Sequence, residues 1–377
     1  MKDIQNRASS QRPPEARLAC LGLSLVSGIG PRRLERLQGY FDNLGDAWLA
    51  SEQQLAQGGL DRRLRRRLVA LRRELDLERE VERIRACGAE FLTLLDEDYP
   101  EPLRNISDPP LTLYIRGELT PGDRQALGLV GTRKATTYGR DVSGQLAQDL
   151  AHQGITVISG LAYGIDAAAH RGALKGGGRT LAVLGSGVDV IYPATHRQLA
   201  QEICQNGALI SEYPPGTLPE GRNFPRRNRL ISGLSLGILV IQAPLTSGAI
   251  ITANIAGEQG REVFAVPGNI LDPASAGCHR LIQDGAKLVT GVGDVLDELN
   301  LAWTRAETAV VARQVVPANE SEARLLALLG VEPTHVDDLA RQCQMPVATV
   351  SSTLTILELR GLARKVGPMQ YSRSQSV

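Results

Sequence analysis

The sequence is poor in the features that announce a specialised chemistry. Aromatic residues are 4% of the 377, so the core must be aliphatic. Neither sign of charge is in excess: 42 Lys and Arg face 41 Asp and Glu, a formal net of +1, so any polyanion site has to be local. The five cysteines, Cys20, Cys87, Cys204, Cys278 and Cys343, form no C-x-x-C pair and have no histidine at ligand spacing, which argues against a disulfide framework and a zinc module. No apolar run reaches membrane-spanning length. The run Leu18 to Ile29 is followed by Pro31 and a charged helix rather than a clear cleavage site, so a cytoplasmic protein is expected. There is no Gly-Lys dipeptide, hence no Walker A loop, and no H-E-x-x-H helix. Gly185-Ser186-Gly187 lacks the third glycine of a dinucleotide fingerprint, because Val190 stands there. No cofactor and no metal site is expected.

What is present is a clear order of segments, and the length predicts two or three domains. Residues 1–15 are polar, with Pro13 and Pro14, and read as a disordered leader. Residues 16–88 read as a small all-helical domain. Within it Gly28-Ile29-Gly30-Pro31 makes a turn between helices, and Asp61 to Arg85 reads as one long amphipathic helix with Leu64, Leu68, Leu71, Leu75 and Leu77 on or near one apolar stripe and a solvated charged face. Residues 89–300 change period. Phe91–Leu95 and Leu111–Ile115 look like strands; Leu127–Val130, Ile155–Ile158, Thr180–Leu184, Ala208–Ile210, Leu236–Ile241, Val263–Val266 and Leu288–Val289 follow as short apolar runs, most separated by room for a helix. That is an α/β pattern, a doubly wound and mainly parallel Rossmann-like sheet. Residues 301–318 read as a linker. Residues 319–377 read as three helices and a hairpin around Gly367-Pro368, the order of a winged helix.

In such sheets ligands gather outside the carboxyl ends of the strands, where loop amides and helix N-termini converge. Gly with Ser or Thr stands there after Val130, Ile158, Leu184 and Ile241. One such loop is an ordinary turn; several together favour an anion. Asp166, Asp189 and His170 stand near these ends, but caps and loop-ordering account for them, and no general base is evident. The strongest local signal is Gly221 to Gly233, with Arg222, Arg226, Arg227 and Arg229 around Phe224 and no acid between Glu220 and Glu258. Arginines that track phosphates beside a ring that stacks a base suit single-stranded nucleic acid.

These residues resemble a known family. Gly131-Thr132-Arg133-Lys134, Ser159-Gly160-Leu161-Ala162-Tyr163-Gly164-Ile165-Asp166, Ala182 to Asp189 with Tyr192-Pro193, Ser211 to Gly216, Phe224-Pro225-Arg226-Arg227-Asn228-Arg229, Ser247-Gly248 and Ala265 to Gly268 occur in the order found in the DNA-processing protein A (DprA/Smf) family. The resemblance covers nearly the whole chain. It implies an extended Rossmann-like domain that binds single-stranded DNA, protects it and helps load the RecA recombinase in natural transformation, without catalysis and as a homodimer. It implies phosphate or base contacts by Arg133, Lys175, Arg226, Arg227, Asn228 and Arg229. It implies stacking on Phe224, and amide or hydroxyl donors at Ser159, Gly160, Ser247 and Gly248. The helical segment resembles a sterile-alpha-motif-like or helix-hairpin-helix unit, and the tail the family's winged helix, whose expected recognition helix carries Arg360 as its only cation. Two positions depart from the pattern: Gln242 replaces a usual Glu and His279 a usual Asn. The alternative is a nucleotide phosphoribohydrolase of related architecture, but the loop Pro244 to Ala249 lacks that group's Pro-Gly-Gly-x-Gly-Thr signature. A third reading, a transcription factor acting through the winged helix, rests on fold analogy alone.

Overall fold

The structure, a computed structural model, describes residues 14–301, 320–330, 332–360 and 362–373. Most of the expected leader and linker, and Gly361 at the expected end of the last helix, lie outside the described residues. Those up to 301 form one compact unit and those from 320 a second.

Six helices open the chain: α1 (Pro14–Ser24), α2 (Pro31–Tyr40), α3 (Leu44–Leu49), α4 (Glu52–Gln57), α5 (Arg62–Glu74) and α6 (Leu77–Ala86). Pro31 stands in the first turn of α2, where a missing N–H is harmless. Asp61 accepts from the Arg63 and Leu64 amides at the head of α5. The single helix expected from Asp61 to Arg85 is two. Leu75 is extended, and Asp76 turns its carboxylate onto the Glu78 and Arg79 amides as a second N-cap. Asp favours a cap over a helix interior, and the break lets Leu64 and Leu68 face the helical core while Ile84 turns to the sheet.

The sheet has nine strands: β1 (Glu90–Thr93), β2 (Thr112–Gly117), β3 (Ala126–Val130), β4 (Thr156–Ser159), β5 (Thr180–Val183), β6 (Gly207–Ser211), β7 (Gly237–Val240), β8 (Glu262–Ala265) and β9 (Lys287–Leu288). Their order is β1-β2-β6-β5-β4-β3-β7-β8-β9, parallel from β6 to β9 and antiparallel at β1 and β2. Between them run α7 (Glu101–Arg104), α8 (Thr137–His152), α9 (Ile165–Lys175), α10 (Arg197–Gln205), α11 (Asn223–Gly233), α12 (Gly248–Glu258) and α13 (Ala276–Gln283), and α14 (Val292–Glu298) follows β9. The chain steps from β3 through β4 and β5 to β6, then returns through α11 to β7 on the other side of β3. Leu146, Leu150, Ile165 and Ala173 of α8 and α9 pack against Leu127 and Val157. Leu230 and Ile231 of α11, with Ala249 and Ala253 of α12, pack with Val130, Ile158 and Val240. Each fully buried Leu or Ile contributes about 1.5–3 kcal/mol, so the two layers are built mainly from aliphatic side chains, with Tyr99 buried in one and Phe264 in the other. Leu21 and Ile84 join Phe91, Tyr114 and Leu209 in a further cluster, which ties the helical segment to the sheet.

The second unit is a winged helix: α15 (Glu320–Leu328), β10 (Thr334–His335), α16 (Val336–Cys343), α17 (Val347–Leu359), β11 (Ala363–Gly367) and β12 (Gln370–Arg373). The wing expected as two strands is a sheet of three, ordered β10-β12-β11. Leu325, Leu339, Val350, Leu354 and Leu357 fill its core. Arg360 is held by Glu322, so it is bound within its own unit.

Candidate nucleic-acid interface

The loops after β3, β4, β5 and β7 meet along the carboxyl edge of the sheet, and α11 crosses that edge. The basic segment expected there is mostly helix: α11 begins at Asn223, whose Nδ2 donates to Gly185 O at 3.1 Å and fixes its first turn over the end of β5. Phe224 follows, half-buried. Its ring lies where a side chain on Gly185 would be: a Cβ there would be only 3.0 Å from Phe224 Cδ1, so any larger residue would push the ring aside. The Arg133 guanidinium stands 5.1 Å from the ring centroid, and Tyr192 packs at 5.8 Å, tilted by 46°. Arg133, Lys134 and Arg226 are exposed.

Arg222 is also exposed and paired with Glu220 at 2.6 Å, whereas the other two arginines of the cluster point inward. Arg227 is 3% exposed and donates to Val183 O. Its guanidinium fills the space beside Gly160, where any Cβ would clash at 1.9 Å. Burial first, and the nearby Arg133 charge, lower its pKa to about 10 while Asp166 opposes them. Asp166, equally buried, accepts from the Gly160 and Ala162 amides at 3.2 and 3.3 Å; burial pushes its carboxyl upward, and Arg227 pulls against that. Arg229 is paired with Glu212 and lies 3.7 Å from Asp108. Burial raises the Glu212 carboxyl and Arg229 opposes it. The stretch free of acids from 221 to 257 is therefore neutralised from elsewhere in the chain.

The remaining expected site residues divide in the same way. Ser159 is buried and its hydroxyl donates to Leu129 O at 2.6 Å, while the Gly160 amide is taken by Asp166. Asn228 reaches Gly248 O at 3.5 Å, and the Ser247 hydroxyl caps α12 by accepting from the Ala249 amide at 3.2 Å, so Asn228, Ser247 and exposed Gly248 stand together on the rim. Lys175 is not brought to them. It ends α9, about 15 Å along the helix axis from the strand ends at a rise of 1.5 Å per residue, on the opposite edge of the sheet. Residue types alone had also not marked Tyr192 and Tyr163, which are 47% and 48% exposed on the strand-end loops. Their signal was scarcity: in a chain this poor in aromatics, solvent-facing rings at strand ends are notable.

The groups that resemble catalysts are engaged structurally. Asp189 accepts from the Gly216 amide at 2.9 Å and orders the loop after β6. His170 is buried, its Nδ1 is 2.7 Å from the Thr180 hydroxyl, and that hydroxyl donates to Val157 O, so the ring proton is on Nδ1. Burial lowers its pKa to about 3, so it stays neutral. Gly233-Leu234-Ser235-Leu236-Gly237 has the spelling of a nucleophile elbow but runs from helix into strand, the reverse order, and Ser235 is buried with its hydroxyl on Ile231 O. Gln242, 1% exposed, accepts from the Thr136 amide at 3.0 Å and offers Nε2 to Asp272 at 3.3 Å. A glutamate there could not donate to Asp272, so this departure staples two loops together. His279 Nε2 lies 3.0 Å from Gly268 O in a similar link. Among the described residues no group of three or more His, Cys, Asp or Glu is placed to hold a metal ion, and no helix is long and apolar enough to cross a membrane.

A family model described as DNA recombination-mediator protein A matches residues 90–300, and one described as the DprA winged helix domain matches residues 312–367. The chain is 36% identical to Protein Smf of Synechocystis sp. over 94% of its own length and 98% of that protein's. It is 45% identical to the DNA processing protein DprA of Streptococcus pneumoniae over 55% of this chain and 73% of that one. Among solved structures, DprA from S. pneumoniae aligns with a TM-score of 0.66 at 35% identity, covering 76% of this chain and 98% of that one. DNA processing protein A from Helicobacter pylori, a protein with a described single-stranded DNA binding mode, aligns with a TM-score of 0.51 at 30% identity, covering 56% and 95%. With the doubly wound sheet, the winged helix and the ordered motifs all matched, the chain belongs to the DNA recombination-mediator protein A family.

Proposed function

We propose that this protein binds single-stranded DNA along the carboxyl edge of its sheet and, as a cytoplasmic homodimer, hands the strand to the RecA recombinase during recombination and natural transformation. The observation that carries the reading is the Phe224 ring set against Arg133, with exposed Arg226 on the same helix. A ring offers a face to any base, and cations beside it meet the flanking phosphates, which gives affinity without sequence preference. Family membership and the single-strand binding mode described for the H. pylori relative support it. In this reading Arg133 and Arg226 hold phosphates, Phe224 stacks a base, and Asn228, Ser247 and Gly248 extend the track. Arg227, Arg229, Ser159 and Gly160 keep the rim in shape from beneath, and Lys175 takes no part. The task is binding, not catalysis.

Fluorescence anisotropy of labelled oligo-dT and a matched duplex across a salt series tests this. Wild type should prefer the single strand. Arg133→Ala/Arg226→Ala should flatten the log-log salt slope by about 1.4, at about 0.7 per phosphate contact on single strands. Phe224→Ala should weaken binding by about 1–3 kcal/mol with the slope unchanged. Indifference to oligo-dT at low salt, or an unaltered slope in the double variant, would overturn the assignment. The mediator half is tested by RecA filament growth on a strand precoated with a single-strand-binding protein: acceleration by wild type but not by the double variant is expected.

A further inference from the structure

We infer that the helical segment carries a second nucleic-acid surface, on α2 and the first half of α5, that holds the phosphate backbone of duplex DNA next to the single-strand track. Only its junction with that track rests on the reading above. Between residues 30 and 73 the sequence has ten arginines, no lysine and five acids, a net of +5 in a chain whose total is +1. Overall neutrality conceals this patch.

The structure brings its two halves together. Arg33 donates to Gly28 O at 2.6 Å and lies 3.9 Å from the carboxylate of Asp61, the cap of α5. Arg67 of α5 donates to Ser27 O at 3.0 Å, in the turn that precedes α2. These contacts hold the heads of α2 and α5 side by side. Leu34 and Leu37 on α2 and Leu64 and Leu68 on α5 are buried beneath. Arg32, Arg36, Arg62 and Arg66 project from the opposite faces, exposed and with no ion pair or hydrogen bond among the described residues.

The chemistry of the patch selects its partner. Its apolar stripes are turned inward, so it has nothing to insert into a bilayer, which disfavours a lipid surface. Tyr40, at the far end of α2, has its ring edge-on to Phe41 and its hydroxyl on Gln57, so no free ring lies among these arginines to stack a base. Exposed guanidiniums on two helices whose heads are tied together, unpaired among the described residues, suit a ladder of phosphates, contacts that position without reading sequence. The patch also adjoins the rim. A Cβ on Gly30, at the head of α2, would be 3.9 Å from the Asp108 carboxylate, and Asp108 is 3.7 Å from Arg229 of α11. A duplex on α2 and α5 and a single strand on α11 can thus belong to one molecule, a duplex with a single-stranded tail.

The test compares a blunt duplex, the same duplex with an oligo-dT tail, oligo-dT alone, and phosphatidylglycerol-containing vesicles, each against the full chain. The tailed duplex should bind wild type at least about tenfold more tightly than oligo-dT, because two linked sites are engaged. Arg32→Gln/Arg36→Gln/Arg62→Gln/Arg66→Gln should lose that gain and flatten the duplex salt slope by up to about 3.6, at about 0.9 per phosphate, with oligo-dT binding unchanged. The matching four-lysine variant should keep the gain. Phe224→Ala should lose oligo-dT and keep the blunt duplex, so failure of the rim and failure of the patch give different results. The inference is overturned if the glutamine variant binds the tailed duplex like wild type, if it loses oligo-dT and duplex equally, or if wild type prefers the vesicles to duplex.

Discussion

Helices α11 and α5 carry arginine in similar runs, Arg226-Arg227-Asn228-Arg229 in one and Arg65-Arg66-Arg67 in the other, yet the fold uses them differently. On α11 the run crosses the edge of a sheet, so one guanidinium is swallowed beneath the β4 and β5 loops and another is clasped by Glu212, leaving Arg226 outside. On α5 the run lies on a surface helix whose other face is fully occupied by leucines, so most of its charge remains in solvent. Arginine density alone therefore says little about a binding site. What decides is whether a layer of structure covers the helix and brings acids with it.

The largest expected effect follows from this contrast. Arg227→Ala removes the donor to Val183 O, leaves the space beside Gly160 empty and takes away the charge that opposes the burial of Asp166. Leaving a buried acceptor unsatisfied costs about 1–3 kcal/mol and the emptied space adds to it, so denaturant unfolding should show a loss of at least that order. Arg66→Ala on α5 should change stability by less than about 0.5 kcal/mol, as exposed sites do. Equal losses in the two variants would break the comparison. The result also bears on the choice of binding mutants: a loss of DNA affinity in Arg227→Ala would report unfolding of the rim as readily as a missing contact, whereas Arg226→Ala removes charge alone.

A smaller effect is expected with pH. His170 sits in α9, in the layer opposite α11, held neutral by burial and, to a lesser degree, by the His196 and Arg227 charges. Its folded pKa of about 3 lies below the ordinary histidine value of about 6.5, so the unfolded chain binds the extra proton first. Stability from this group is complete above about pH 6.5 and declines as pH falls towards 3. By pH 5 it should have cost about 2 kcal/mol. Unfolding measured at pH 8 and pH 5 should show this loss in wild type and a shallower one in His170→Gln, where nothing titrates. Identical acid limbs would mean that the pocket around His170 on α9 is wetter than the packing implies, which would weaken the contrast between buried and surface cations.

The comparison also shows which parts of the molecule the sequence could announce. Strands were legible because each is a short apolar run between turn residues, and the strand-end loops because glycine with serine or threonine recurs after β3, β4, β5 and β7. The break at Asp76 was not, because the leucines on either side keep a helical period and only the capping geometry interrupts it. The pairing of the α11 arginines was hidden for a longer-range reason. Asp166, Glu212 and Asp108 come from three other segments of the chain, so counting acids between Glu220 and Glu258 counted the wrong ones. The α2 and α5 patch had the same defect in reverse: its acids and arginines alternate in the text, but only the fold ties the heads of α2 and α5 together and leaves Arg32, Arg36, Arg62 and Arg66 exposed and without partners among the described residues.

Lys175 gives the smallest expected effect and the sharpest control. It is exposed, it ends α9, and the helix carries it to the edge of the sheet away from Phe224 and Arg226. If affinity for oligo-dT followed the general field of the protein, Lys175→Ala would flatten the salt slope as much as any other lost cation. If it comes from cations in register with one strand, each rim arginine changes the slope by about 0.7 and Lys175→Ala by close to nothing. A slope change in Lys175→Ala matching that of Arg226→Ala would place the bound strand around the sheet rather than along its rim. It would also remove the ground for treating the α11 edge and the arginine face of α5 as two separate surfaces.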